Sequence, residues 1–142
     1  MKWTGKIFGV LAGVMLSMSA WAGDVVVIVN KANPDTVDKD FVVKVYTGET
    51  KFWPSGGGVF AIDQAEDSQI RADFYTYVLE KSASNMTALW AQNIFTGNSL
   101  PPKVVDNDVE VKRIVSINKR AIGYINASSV DDTVKAVVKS SP

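Results

Sequence analysis

The sequence predicts an α/β domain in which helices flank a mixed, mostly parallel sheet. Residues 24–30 read DVVVIVN, and five consecutive branched apolar side chains are typical of a strand that is buried on both faces, as in a parallel sheet. A helical pattern follows this strand almost at once, which is the opening of an α/β unit. Strand-like and helix-like segments then alternate along the remaining chain, as this fold class requires.

The first 22 residues differ from the rest and have the three parts of a secretory signal. Lys2 and Lys6 form a basic start, residues 7–18 are uncharged and mostly apolar, and Ala20 and Ala22 are small residues at a cleavage site. The alternative is a membrane anchor, but a spanning helix needs about 20 apolar residues.

We therefore expect a cleaved signal peptide over residues 1–22 and a single domain over residues 23–142. The expected location is the periplasm, and after cleavage the chain is not expected to span a membrane.

The composition excludes several classes of function. The 142 residues include no cysteine and no histidine, so a zinc finger, a cysteine nucleophile and a Ser-His-Asp triad are ruled out. Fifteen basic and fifteen acidic residues give a net charge of zero, which argues against a nucleic-acid surface. No acid/base pair stands at a recognisable spacing, so we expect a protein that is not an enzyme and needs no cofactor.

An acidic run at Asp106, Asp108 and Glu110 raises the possibility of a calcium loop. An EF-hand needs glycine at its sixth position and glutamate at its twelfth, and these are Val111 and Ile117 here. We interpret the acids as residues that favour a helix N-terminus, and expect no metal site.

The first helix is predicted over residues 38–46, with Asp38 as its cap and Gly48 at its end. The segment 51–58, KFWPSGGG, excludes a regular element and predicts a loop or hairpin tip. A strand is predicted over residues 59–63.

The second helix is predicted over residues 68–79. Its apolar residues recur at the spacing of one helix face: Ile70, Phe74, Tyr77 and Val78.

A further helix is predicted from Ser84 to Gly97, followed by an extended connector over residues 100–102. Four of its side chains are expected to point inward: Met86, Leu89, Trp90 and Ile94.

The last part of the chain predicts a helix capped within residues 106–108 and two strands, over residues 121–125 and 134–138. Val111, Ile114 and Val115 form one side of that helix. The sheet should therefore have four to five strands.

The segment 63–71 is the strongest candidate for a binding site, because it follows a strand and opens a helix. Ligands of open α/β sheets bind beyond the carboxyl ends of strands, and anions favour helix N-termini. Ser68 could donate a hydroxyl and Arg71 could supply positive charge. The alternative is structural: Ser68 caps the helix and Arg71 pairs with Asp67 four residues earlier.

Three further polar residues join the candidate ligand-binding set. Gln64 stands at the end of the second strand, whereas Asn30 and Asn33 stand at the end of the first. All three are expected beside a ligand at the strand ends.

The sequence resembles the phosphate-binding-protein branch of the periplasmic solute-binding superfamily. The order and spacing of several short segments carry the resemblance: DVVVIVN at 24–30, Tyr46-Thr47-Gly48, Trp53-Pro54, Asp63-Gln64 with Ser68, Arg71 and Phe74, Trp90, IFTG at 94–97, Pro101-Pro102 and AIGY at 121–124.

The resemblance implies a single lobe of the Venus-flytrap type and the role of a substrate-binding protein for phosphate or a related oxyanion. It also implies an ABC uptake system, a transporter or sensor partner in the envelope, and an oligomer that could rebuild a second lobe. The alternative function is a lobe without a ligand that acts as an interaction or sensor-accessory module.

Two departures from the family pattern concern charge. The two-lobed phosphate binders carry an arginine near the place of Asp63 and a Ser-Gly-Thr helix start, whereas Glu66, Asp67 and Ser68 stand here. Two like unit charges at about 4 Å repel by about 4 kcal/mol near a protein surface. The acids therefore oppose a dianion at this helix start, and together with the missing second lobe they motivate the alternative function.

Overall fold

The computed structural model describes residues 24–140. The expected signal peptide at 1–22 lies outside the described residues. Among residues 24–140, none of the helices combines the length and apolar character needed to cross a membrane.

Five strands and four α-helices follow one another in the described part of the chain, with one π-helical segment and one 3₁₀ turn. In chain order they are β1 Val25–Val29, α1 Lys39–Tyr46, β2 Phe60–Gln64, α2 Gln69–Asp73, the π-helical segment Phe74–Leu79, α3 Ala83–Phe95, β3 Lys103–Val105, α4 Asp108–Ile117, β4 Ala121–Asn126, the 3₁₀ turn Ala127–Ser129 and β5 Lys135–Ser140.

The strands form one mixed sheet in the order β3-β2-β4-β1-β5. β2 runs parallel to both of its neighbours, β3 and β4. β1 runs antiparallel to both β4 and β5. The predicted α/β class, a mixed sheet flanked by helices, is confirmed.

β1 is buried on both faces, as its sequence predicts, but it is not a parallel strand. Val25, Val27 and Val29 join an apolar cluster that includes residues of α1 and the π-helical segment. Val26 and Ile28 join a second cluster with residues of α4. Because β1 is covered on both faces, its side chains are apolar throughout. This burial, and not the direction of the neighbouring strands, is what the continuous apolar run reports.

The first predicted helix and the loop after it are confirmed. The Asp38 carboxylate caps α1 by accepting from the Phe41 backbone N–H at 2.8 Å. Gly48 follows the helix at φ +82°, where a side chain is rarely tolerated. The segment 51–58 turns back on itself, with a single bridge between Phe52 and Gly58.

The helix predicted over residues 68–79 changes type at Phe74. A π-helix closes i→i+5 bonds, so its turns are wider than the α-helical spacing assumed from sequence. Tyr75 and Leu79 are consequently buried beside Phe74 and Val78, while Tyr77 is half-buried. The face predicted from Ile70, Phe74 and Val78 is confirmed, but the sequence missed Tyr75.

The inward face predicted for α3 is mostly wrong. Met86 is buried, but Leu89 and Trp90 are half-buried and Ile94 is 54% exposed. Met86 and Trp90 pack on the apolar cluster that includes residues of α1, and polar contacts add to this: Trp90 Nε1 donates to the Tyr46 carbonyl and Asn93 Nδ2 to the Thr47 carbonyl, each at 3.0 Å.

The chain after α3 adds a short strand that the sequence did not predict. β3 has three residues and lies at the edge of the sheet, so it shows little of the alternation that marks a strand. α4 is capped by Asn107, whose Oδ1 accepts from the Glu110 N–H at 3.1 Å. The cap therefore lies within the predicted 106–108. β4 and β5 are confirmed within about two residues.

Gly123 in β4 provides a test of how closely α4 packs on the sheet. A Cβ at this position would lie 2.5 Å from Val111 Cγ1. Because overpacking a core costs about 1–3 kcal/mol, we expect Gly123→Ala to lower the free energy of unfolding by that amount in urea titrations. Gly58→Ala is the matched control, since its nearest neighbour would be 3.9 Å away. Equal stability of the two variants would contradict this packing.

Candidate functional site

The direction of β1 separates the five predicted site residues into two groups. β2 and β4 are parallel, so Gln64 and Asn126 lie at the same edge of the sheet. Val25, the first residue of β1, pairs with Asn126, so β1 begins at that edge and ends at the opposite one. Asn30 and Asn33 therefore lie across the sheet from Gln64, Ser68 and Arg71.

Asn30 and Asn33 are bound into the fold. Asn30 Nδ2 donates to the carbonyls of Val115 at 2.8 Å and Ser116 at 3.2 Å, tying β1 to the end of α4. Asn33 Oδ1 accepts from the Asp35 N–H at 2.8 Å and so shapes the turn after β1. Both are buried, and their predicted place beside Ser68 and Arg71 is wrong because β1 is antiparallel.

The Gln64 side-chain amide is also engaged in hydrogen bonds within the fold. Its side chain is 1% exposed, and Nε2 donates to Asp108 Oδ1 at 2.8 Å and to the Tyr124 carbonyl at 2.9 Å. These bonds join the ends of β2 and β4 to the start of α4, so the amide lies under the candidate site rather than in it.

Ser68 caps α2, as the structural alternative expects. Its Oγ accepts from the Arg71 N–H at 3.3 Å and donates to the Ala65 carbonyl at 2.8 Å. The hydroxyl thus satisfies the chain's own backbone groups at the helix start.

Arg71 pairs with Asp63, not with Asp67 as the structural alternative expects. Its Nε lies 3.8 Å from Asp63 Oδ2, and its Nη1 donates to the Gln64 carbonyl at 3.3 Å. The guanidinium carbon also lies 5.0 Å from the centre of the Tyr75 ring. Asp63 is buried whereas Asp67 is exposed, and a charge pair shielded from water is the stronger one.

The central group at this edge of the sheet is the Asp63 carboxylate. The sequence analysis did not identify it as a group to which other side chains bind. The carboxylate is 4% exposed, and Oδ2 accepts from Tyr75 Oη at 2.8 Å. Oδ1 accepts from Tyr124 Oη and from the Gln64 N–H, the latter at 2.8 Å. With Arg71 beside it, the buried charge is well compensated.

The sequence does contain a signal for this network. Asp63 is a charged residue at the end of an apolar strand, and a buried charge needs partners. Tyr124, in the otherwise apolar strand AIGYI, offers one phenol. Tyr75 lies four residues after Arg71 and so on the same helix face, but it falls outside the predicted apolar stripe, so that pattern did not select it.

The environment changes the ionisation of the three tyrosines around Asp63. Burial and then the negative charge of Asp63 raise the pKa of Tyr46, Tyr75 and Tyr124 above the ordinary value of 10.0. All three phenols therefore remain neutral at physiological pH. Tyr75 and Tyr124 can serve as hydrogen-bond donors to the carboxylate.

A polar cavity of about 220 Å³ opens beside Arg71, between the π-helical segment and α3. Lys81 lines the same cavity, together with the side chains of Ser82 and Thr87. Glu66 is the acid in its lining, so two positive charges face one negative charge. Such a combination of cations and hydroxyls can bind a small anion.

No group of three or more aspartate or glutamate side chains stands close enough to hold a metal ion in the part of the chain that the structure describes. The only acids at the site act as acceptors for the chain's own donors or line the cavity.

Comparison with known proteins agrees with the architecture. A family model described as "PBP superfamily domain" matches residues 4–140. Among solved structures, an ABC-type phosphate transport receptor from Vibrio cholerae is 20% identical, with a TM-score of 0.57 over 87% of this chain and 52% of that one. PstS from Borrelia burgdorferi is 14% identical, with a TM-score of 0.60 over 87% of this chain and 54% of that one.

A third match comes from Clostridium perfringens, in a structure with bound phosphate that is described as a proposed phosphate ABC transporter substrate-binding protein. It is 24% identical, with a TM-score of 0.63 over 80% of this chain and 43% of that one. The chain thus spans about half the length of the solved structures it matches. At these identities the likeness concerns the fold.

The Tyr75 hydroxyl provides a test of the Asp63 network. Hydrogen bonds to a charged group contribute about 1.5–3 kcal/mol, so we expect Tyr75→Phe to lower the free energy of unfolding by about that amount. Urea titration measures it. Tyr77→Phe is the control on the same π-helical segment, because Tyr77 is half-buried and its hydroxyl is not among the donors to Asp63. Equal effects of the two variants would contradict the network.

The raised tyrosine pKa values predict loss of stability in alkali. Above about pH 10 the unfolded chain releases phenolic protons that Tyr46 and Tyr124 retain in the fold, so ionisation favours unfolding. Each of these two tyrosines should lower the free energy of unfolding by up to about 1.4 kcal/mol per pH unit. Urea midpoints measured between about pH 8 and about pH 11 test this. A midpoint that stays constant across that range would contradict it.

Proposed function

The chain belongs to the PBP superfamily, and from that premise we propose that it is a non-catalytic, periplasmic substrate-binding protein for phosphate or a related oxyanion in an ABC uptake system. The observation that carries the ligand class is the cavity that both Arg71 and Lys81 line. The hydroxyls of Ser82 and Thr87 in the same lining already bond to the backbone of α3, so the two cations are the groups available to an anion. The solved structures of similar fold include an ABC-type phosphate transport receptor and a protein with bound phosphate, which supports the same class.

Arg71 is held ready for this role by the groups behind it. Asp63 and the Gln64 carbonyl engage Nε and Nη1, so the guanidinium is fixed in orientation before an anion arrives. Fixing a binding group in advance reduces the entropy lost on association. The same pairing offsets much of the arginine charge.

Lys81 therefore supplies the less compensated charge of the cavity. It is half-buried, and no acid forms an ion pair with it among residues 24–140. Glu66 is exposed at the cavity wall and works against a highly charged anion. With Asp63 beside Arg71 and Glu66 in the wall, two cations and two carboxylates balance, so the proposal rests on the position of the unpaired Lys81 ammonium in the cavity rather than on a net positive charge.

Isothermal titration calorimetry of the purified exported protein with inorganic phosphate tests the proposal. We expect binding in the millimolar range or tighter, and about tenfold weaker binding in Lys81→Gln, which corresponds to about 1.4 kcal/mol. Lys119→Gln, at an exposed lysine outside this cavity, is the matched control and should bind as the parent does.

Lys81 is a better test than Arg71. Replacing Arg71 would leave the buried Asp63 carboxylate with one partner fewer and could destabilise the fold. A folded parent protein that gives no heat at millimolar phosphate would overturn the oxyanion role. A parent that binds equally well after Lys81→Gln would move the site away from this cavity.

A further inference from the structure

We propose that a second cleft, between the end of α1, the start of β2 and the connector before β3, binds a small aliphatic carboxylate. The cleft has a volume of about 390 Å³, which is within the range of small-molecule sites. None of its lining residues belongs to the cavity of Arg71 and Lys81, so the inference goes beyond the oxyanion role.

The walls of the cleft are mainly apolar. Val45 and Val59 form its inner part, while Phe60, Leu100 and Pro101 line its outer part. Leu100 is 86% exposed and Phe60 is 38% exposed. Large apolar side chains exposed side by side favour burial against an aliphatic chain.

A buried hydroxyl in the lining has no partner. Ser99 Oγ is out of contact with solvent and makes no hydrogen bond among residues 24–140. Buried polar atoms almost always have a partner, so an exception calls for an explanation. Ser99 lines the cleft, but its hydroxyl is shielded from the open space and packs against Gly48, so a ligand must displace part of that lining to accept its proton.

The charge of the lining selects a negatively charged head group. Lys51 and Lys103 both line the cleft, and no aspartate or glutamate does. Lys51 Nζ donates to the Asn98 carbonyl, and Lys103 takes part in no ion pair in the described part of the chain. A carboxylate can accept from the exposed Lys103, while its aliphatic tail covers the apolar walls.

Calorimetric titration with octanoate, below its micelle concentration, tests the inference. We expect saturable binding by the parent protein, weakened about tenfold in Lys103→Gln and in Leu100→Ser. Both side chains are exposed, so neither change should unfold the protein. Lys31→Gln and Val109→Ser are the matched controls, because these exposed residues lie outside the cleft, and both should bind as the parent does.

Octyltrimethylammonium is the control ligand that distinguishes selection for a negative head group from nonspecific hydrophobic binding. It has the same tail and a positive head, so we expect no saturable binding. Equal binding of the two amphiphiles would overturn the inference, as would absence of heat with octanoate or binding that Lys103→Gln and Leu100→Ser leave unchanged.

Light scattering identifies a competing occupant. A protein that is dimeric, that becomes monomeric in Leu100→Ser and that does not bind octanoate would show that a second copy covers the cleft, which also overturns the inference. The phosphate titration is read separately, because Lys81 lies in the other cavity. Loss of octanoate binding with phosphate binding intact would therefore leave the oxyanion role standing.

Discussion

The constraint on which the rest of this edge of the sheet depends is the buried carboxylate of Asp63. A single buried charge is costly, and its cost is offset only when several donors converge on it. Two hydroxyls donate hydrogen bonds to Asp63, that of Tyr75 from the π-helical segment and that of Tyr124 from β4. The Arg71 guanidinium of α2 forms an ion pair with the same carboxylate. One side chain thereby ties the end of β2 to β4 and to the continuous helical stretch formed by α2 and the π-helical segment.

The π-turn is part of the same constraint. Phe74 stacks on Tyr124 with ring centres 3.8 Å apart, which fixes the segment against β4. The next residue, Tyr75, lies one helical turn after Arg71, and both reach Asp63 while Phe74 stays in the core. Further along the π-helical segment, Val78 and Leu79 are both buried, so the segment continues to pack against the core beyond Tyr75.

Local sequence signals predicted most of the helices and strands. The features that the sequence analysis missed depend on contacts between residues that are distant along the chain. The cap at Asp38, the glycine at position 48 and the apolar run of β1 act within a few residues, and the structure confirms them. The direction of β1 depends on its neighbours β4 and β5, which no local pattern encodes. At the candidate site, the sequence correctly placed Ser68 and Arg71 at one helix start. It did not identify the partner of Arg71, which is the buried Asp63 eight residues earlier rather than a residue one helical turn away.

The same network of hydrogen bonds around Asp63 limits the positive charge that the site can offer to an anion. In the phosphate-binding branch that the sequence resembles, an arginine is expected near the position where Asp63 stands, so one negative charge replaces one positive charge. Asp63 neutralises most of Arg71, and the charge left for an anion must come from a residue outside that pair. Lys81 meets this requirement because it enters the cavity from the loop between the π-helical segment and α3. The fold thus has the architecture of a PBP lobe, and the proposed oxyanion site depends on a cation that the Asp63 network does not hold.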